Sequence, residues 1–292
     1  MLKGSLVALV TPFNSDGSVN YEELLRLLEL HSNNSDGIVL IGTTGEATTL
    51  SDSEALEMVK FAVEKVNKRV PLIVGAGNNN TEAAVNKARL YSSLGADYLL
   101  CITPYYNKTN ESGLIKHFEA IASASSCPII LYNVPSRTGV SISIKALNVL
   151  KDNPNIIGIK EASGNMSYAM EVSRLLSDSF MMYSGNDDLI VPMMSIGGSG
   201  VISVLANIAP KRCKEMVKLC LNNKYSEAME IQKDLLDVSN ALFYEVNPIP
   251  VKEAMNYLGY NVGGYRLPLD YMSEDNKKRL INELKKKEGG LY

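Results

Sequence analysis

Ile156-Ile157-Gly158-Ile159-Lys160-Glu161-Ala162 is a short apolar run that reaches a lysine. Strict period-two alternation places Ile156, Gly158 and Lys160 on one face and Ile157 and Ile159 on the other. Both faces are apolar up to Lys160, the pattern of a strand covered on both sides. Gly158, one step below on the lysine's face, leaves space beside its stem. Burial disfavours the charged form of an amine, and a neutral amine can attack a ketone to form a Schiff base. Taken alone, the segment reads more simply as a strand-end lysine reaching solvent, because lysines are seldom buried unpaired. The rest of the chain decides between these readings.

Outward from this segment, short apolar runs alternate with amphipathic ones. Strands are expected at 6–11, 37–41, 71–74, 97–102, 129–132, 156–160, 180–184 and 201–203. Helices are expected at 21–31, 51–68, 81–93, 111–123, 144–150, 166–176, 188–195 and 210–221. Asn20 caps the first helix, with Glu22 and Glu23 in its first turn. Ser51 and Glu54 form a capping box for the second. Strands alternating with helices imply parallel pairing. Eight units predict a closed (β/α)8 TIM barrel better than an open doubly wound sheet. The open sheet also lacks support because no G-x-G-x-x-G follows the first strand. After residue 223 only helices are expected, at 226–243, 250–258 and 274–286. The expected organisation is a catalytic barrel over 1–223 and a C-terminal all-helical appendage over 224–292. That tail would cover a barrel face or assist assembly.

Composition fits this architecture. The 292 residues are 46% hydrophobic and 21% charged, enough apolar material for a sizeable core. Net charge is -3 and no basic block occurs, which argues against a nucleic-acid partner. The start, Met1-Leu2-Lys3-Gly4, lacks a signal-peptide apolar region, and no apolar run reaches membrane-spanning length. No membrane association and a cytoplasmic location are therefore expected. Cys101, Cys127, Cys213 and Cys220 are scattered and read as buried free thiols. His31 and His117 are expected on helix surfaces, so a histidine metal site or a Ser-His-Asp triad is poorly supplied.

In such a barrel the site lies where strands end and helices begin. After the second strand comes Gly42-Thr43-Thr44-Gly45-Glu46, whose hydroxyls and amides suit an anion cradle or simply a glycine turn. After the fourth comes Thr103-Pro104-Tyr105-Tyr106-Asn107. After the fifth comes Tyr132-Asn133-Val134-Pro135-Ser136-Arg137-Thr138-Gly139. Tyr132 shares a face with Ile130 and can carry a phenol into the barrel mouth, and the planar fork of Arg137 suits a carboxylate. After the seventh comes Gly185-Asn186-Asp187-Asp188, in which Asn186 or Asp187 reads as a helix cap. Ile202 and Ser203 lie in the eighth strand. A lysine, phenols, paired threonines and an arginine at one end suit an α-keto acid bound as an imine. The imine draws electrons, a proton leaves the neighbouring carbon, and a phenol–hydroxyl chain can carry that proton. This chemistry needs no metal or other cofactor.

These motifs resemble those of the dihydrodipicolinate synthases, within the pyruvate-dependent lysine aldolase superfamily, over essentially the whole chain. The resemblance rests on Gly42-Thr43-Thr44-Gly45-Glu46, Pro104-Tyr105-Tyr106, Tyr132-Asn133-Val134-Pro135 with Arg137-Thr138-Gly139, and Gly158-Ile159-Lys160-Glu161. It continues in Ser184-Gly185-Asn186-Asp187, Gly200-Val201-Ile202-Ser203 and Asn247-Pro248-Ile249-Pro250-Val251-Lys252. Sialic-acid lyases of the superfamily usually read Ser-Thr in the first motif and lack the arginine. The resemblance implies condensation of pyruvate with L-aspartate 4-semialdehyde, the committing step of diaminopimelate-route lysine synthesis. It implies that Lys160 forms the imine and Tyr132 is the general acid/base. Thr44 would link Tyr132 to Tyr106 of a neighbouring subunit, and Thr43 would hold the pyruvate carboxylate. Arg137 would bind the aldehyde's carboxylate, and Gly185 and Ile202 would line the pocket. It further implies a homotetramer built from two tight dimers.

Two alternatives remain at this stage. One is a sialic-acid or keto-deoxy-sugar aldolase; the other is a non-catalytic sensor, which would be expected to lose Lys160 or Tyr132. One departure from the family pattern bears on regulation. Where lysine-inhibited members carry polar, histidine and glutamate side chains, this chain has Ala47, Thr48, Asp52 to Ala55 and Ala83, although Asn79 and Tyr105 match. A lost carboxylate partner for an ammonium removes about 1.5–3 kcal/mol per charge-assisted bond. Feedback inhibition by lysine is therefore expected to be weak or absent.

Overall fold

The computed structural model describes residues 2–287 and 289–291. Its strands are β1 (Gly4–Ala8), β2 (Gly37–Leu40), β3 (Leu72–Gly75), β4 (Tyr98–Ile102), β5 (Ile129–Asn133), β6 (Ile156–Glu161), β7 (Met181–Ser184) and β8 (Gly200–Ser203). They pair in chain order, all parallel, and β8 closes onto β1 with Gly4 opposite Gly200 and Leu6 opposite Ile202. This is the expected (β/α)8 barrel, and closure eliminates the open sheet. The helices Thr81–Ser93, Ile144–Leu150 and Pro210–Leu221 begin and end where the pattern places them. Local chemistry sets their starts elsewhere too. Asn20 accepts from the Glu23 amide at 3.0 Å, and Ser51 and Glu54 exchange both capping bonds. Among the described residues, no helix is long and apolar enough to cross a membrane.

Two apolar layers stabilise the barrel. Leu6, Val39, Ile73, Leu100, Ile130, Tyr183 and Ile202 fill its interior. Leu27, Met58, Phe118, Leu147 and Val172 pack between strands and helices. The C-terminal helices Tyr225–Ala241, Ile249–Tyr257 and Glu274–Lys285 place Leu235, Val238, Ala254 and Leu280 in that same outer cluster. The tail is thus packed into the barrel's hydrophobic shell.

Three expectations change. β1 lies two to three residues earlier than expected, because the β8 register fixes which part of the long apolar run has a partner. Beyond it, Thr11 leaves the sheet and its hydroxyl donates to the Gly45 carbonyl at 2.6 Å. β6 does not alternate strictly. Ile129 faces Ile156 but Ile130 faces Gly158, so Ile157 is an extra residue in a bulge. Ile156 and Ile159 consequently join the outer layer and Ile157 packs on the inner one. Gly158 leaves no space for the lysine stem: a Cβ there would sit 2.4 Å from the Met181 carbonyl oxygen, so the glycine admits the close approach of β7.

Both histidines are buried, not on helix surfaces. His31 follows Leu27 and Leu28 by four and three residues on the core face of the helix Tyr21–Asn34. Its Nδ1 lies 3.0 Å from Ser35 Oγ, and His117 Nδ1 lies 2.9 Å from Thr81 Oγ1. All four cysteines are free and buried, as expected. Burial pulls His31 from 6.5 down to about 3. The folded imidazole stays neutral while the unfolded one takes a proton below 6.5. Stability is therefore undiminished above pH 6.5 and declines as pH falls from there toward 3. Between pH 7 and 5, urea denaturation should show the stability advantage of wild type over His31→Asn narrowing by about 2 kcal/mol. A constant advantage would mean that the folded imidazole takes up the proton.

Candidate active site

The loop after β2 is shaped by two non-glycine residues in the left-handed region, Ile41 (φ 54°) and Glu46 (φ 53°). Between them the chain coils tightly: Gly45 N donates to Gly42 O at 3.1 Å and Glu46 N to Thr43 O at 3.1 Å. Such backbone persists only where the surroundings over-determine it. The main restraint comes from far along the chain. Glu46 Oε1 and Lys252 Nζ form an ion pair at 2.8 Å, with side chains 1% and 0% exposed. Lys252 also donates to the carbonyls of Thr11 (3.0 Å) and Gly264 (2.5 Å) and lies 4.4 Å from the Phe13 ring centroid. Burial pulls the Lys252 ammonium below its ordinary range, opposed by the Glu46 charge. Arg266 adds a second clamp. Its fork reaches both Glu54 oxygens at 2.9 and 2.5 Å and the Gly17 and Thr49 carbonyls. The Arg266 bonds hold the Glu54 carboxyl down to about 2.

Lys160, one residue before the end of β6, lies opposite Tyr132 of β5 and Tyr183 of β7. Lys160 and Tyr132 are 6% and 7% exposed, and the amine lies 4.4 Å from the Tyr132 ring centroid. The strand end is fixed from behind. Buried Glu161 accepts from Asn133 Nδ2 and from Ser163 N, both at 2.7 Å, while its carbonyl takes the Gly185 amide at 2.7 Å. Burial raises the Glu161 carboxyl above its usual range. Asp187 is not a helix cap: its Oδ2 takes the amides of Val204 (3.0 Å) and Leu205 (2.9 Å), tying the chain after β7 to the chain after β8. Asn186 makes no side-chain cap bond either.

Arg137 lies on an unexpected helical turn, Pro135–Thr138, and donates to the Asn247 carbonyl at 3.0 Å. The Asn247 side-chain amide donates to Thr44 Oγ1 at 3.0 Å. Thr44 is thus bonded to Asn247 and not to Tyr132. A cavity of about 440 Å³ opens at this end, lined by Thr43, Tyr132, Arg137 and Asn247 and extending toward Thr48, Lys87 and Tyr105. Lys160 stands against its Tyr132 wall, while Thr44, Gly185 and the buried Ile202 lie outside the lining. Tyr106 is apart from the others in this single chain, 92% exposed with φ 68°. Sequence reasoning assigned no role to Asn247, Lys252 or Arg266. One signal was available: Lys252 is the first charge after the apolar run Pro248-Ile249-Pro250-Val251, in a helix that is buried from Ile249 to Met255.

Comparison with known proteins is consistent over the whole chain. The model of the dihydrodipicolinate synthetase family matches residues 1–287. A 4-hydroxy-tetrahydrodipicolinate synthase of Clostridium novyi is 51% identical over 285 residues, covering 97% of this chain and 96% of its own. The crystal structure of dihydrodipicolinate synthase from Aquifex aeolicus superposes with a TM-score of 0.96 at 42% identity, covering 99% of both chains. A chloride-inhibited dihydrodipicolinate synthase of Acinetobacter baumannii, solved in complex with pyruvate, gives a TM-score of 0.96 at 40% identity and covers 100% of both.

Removing one partner of the buried pair leaves an uncompensated charge. Lys252→Met should cost about 3–5 kcal/mol of unfolding free energy in urea titrations. Adding Glu46→Gln to that variant should recover a substantial part. A loss in Lys252→Met no larger than that of an exposed pair would show that the ion pair is not a principal restraint.

Proposed function

The chain belongs to the dihydrodipicolinate synthetase family, and we propose that this lyase condenses pyruvate with L-aspartate 4-semialdehyde through a Schiff base on Lys160. The observation that carries the reading is the cross-strand pair of Lys160 and Tyr132, buried together beside a cavity that Thr43 and Arg137 line. The amine attacks the pyruvate ketone carbon, and water leaves to give the imine. The imine accepts the electrons released when a methyl proton departs, giving an enamine. Tyr132 takes and returns protons, passing them through Thr44 to Tyr106 of a neighbouring subunit. Thr43 holds the pyruvate carboxylate, and Gly185 and Ile202 bound the space around the lysine. The enamine carbon attacks the aldehyde, whose oxygen takes a proton. The product's amine then displaces Lys160 and closes the ring, giving 4-hydroxy-tetrahydrodipicolinate. The scheme draws on no cofactor.

Arg137 favours this reading over a sugar-acid aldolase. Its guanidinium is anchored on the Asn247 carbonyl at the cavity wall, where it suits the carboxylate of a short aldehyde better than a polyol. The exposed Tyr106, held in left-handed backbone, supports a homotetramer of tight dimers in which each site borrows a tyrosine. We also infer that lysine is not a strong inhibitor. The cavity lining includes Ala47, Thr48, Ala55, Tyr105 and the cationic Lys87, while Glu46, its acidic lining residue, is occupied by Lys252.

Incubation with pyruvate followed by borohydride should add the reduced pyruvyl group to Lys160, located by peptide mass mapping. Absence of an adduct there would overturn the mechanism. Turnover should persist in sub-millimolar lysine; half-inhibition in that range would overturn the regulatory inference.

A further inference from the structure

We propose that Asn247, contributed by the helical tail, is a positioning residue that fixes the direction of proton flow through Thr44. The inference deepens the function proposed above and rests on the reading that Thr44 carries protons between two phenols. A threonine hydroxyl has one proton and two lone pairs, and it can rotate to suit its neighbours. A primary amide nitrogen can only donate. With Asn247 Nδ2 3.0 Å from Thr44 Oγ1, the hydroxyl must accept on that side, and its own proton points elsewhere. Both residues are buried, so the bond is shielded from bulk water.

The two functions of Asn247 are separable. Its main-chain carbonyl holds Arg137 Nη2 at 3.0 Å, and its side chain holds Thr44. Replacing the side chain leaves the Arg137 anchor in place. The main chain is itself restrained: Ile249 N bonds to Val246 O at 2.9 Å and Lys252 N to Pro248 O at 3.1 Å. The amide oxygen, Oδ1, is buried without a partner. Turning the amide over would reverse the bond to Thr44 and leave the nitrogen unpaired in its place. The two orientations make opposite kinetic predictions.

The test is Asn247→Asp, which keeps the shape and replaces the donor by an acceptor. It should draw the Thr44 proton toward itself and lower kcat by about ten- to hundredfold. KM for the aldehyde should stay within about twofold, because the Arg137 anchor is main chain. The solvent deuterium isotope effect on kcat should rise as proton transfer becomes limiting. Asn247→Ala, which adds no charge, should lose kcat with the same unchanged aldehyde KM. In a Thr44→Val background neither substitution should lower kcat further, since the group they orient is gone. Wild-type kcat in folded Asn247→Asp, or equal losses with and without the Thr44 hydroxyl, would overturn the proposal. Thr44→Val alone, which should lower kcat while borohydride still traps pyruvate on Lys160, tests the underlying reading separately: wild-type kcat in that variant would sink the relay itself, so the two failures are distinguishable.

Discussion

A carboxylate and an ammonium taken out of water lose several kcal/mol of hydration each, and a buried pair survives only with near-complete bonding. Glu46 and Lys252 meet this condition. The lysine has Glu46, two main-chain carbonyls and an aromatic face; the carboxylate has Lys252 and the Arg266 amide. The pair is demanding in geometry, and that demand positions everything around it. It holds the loop after β2 in left-handed backbone and draws the helix Ile249–Tyr257 against it. Five residues before Lys252, Asn247 then falls where it reaches both Thr44 and Arg137. Groups from three distant parts of the sequence are set at one barrel mouth by a buried ion pair.

The lysine of β6 depends on a different support. A flexible four-carbon stem offers poor positional control unless its surroundings are packed. Neighbouring strands supply that packing through Tyr132 and Tyr183, and buried polar groups behind the strand make it rigid. Glu161 binds Asn133 and Ser163, and Asp187 fastens the next two strand ends together. Neither carboxylate is part of the cavity lining. They satisfy main-chain donors where strands stop pairing, which a barrel must do at its open end. On the lysine's side the site is thus held by bonds in the wall behind it, while Thr44, Asn247 and Arg137 are held by bonds to one another.

How much of this was legible in the sequence varies with the range of the interaction. Helix starts were legible, since Asn20 and Ser51 cap through bonds three residues away. The eight-unit barrel was legible because alternation of strands and helices constrains pairing. Strand ends were less so. The run from Leu6 to Val10 is apolar throughout, and only the registers with β8 and β2 show where pairing starts and stops. The bulge at Ile157 is invisible to a period-two reading, because it arises from β5 and the close backbone of β7. His31 and His117 were misjudged for a related reason: polarity suggested a surface, while helical phase placed both rings in the core with hydroxyl partners on one nitrogen.

The sequence by itself determined the barrel class, the order of its elements and the residue types at the strand ends, because periodicity, capping and motif spacing are local or nearly so. Lys160, Tyr132, Thr43, Thr44 and Arg137 were named from it without coordinates. Only the tertiary structure decided that Asn247 and Lys252 belong with them. Residues about 200 positions apart meet there, Asn247 with Thr44 and Lys252 with Glu46. No periodicity records which distant polar group will satisfy a buried one. That assignment is made when the chain closes and each buried donor and acceptor must find a partner.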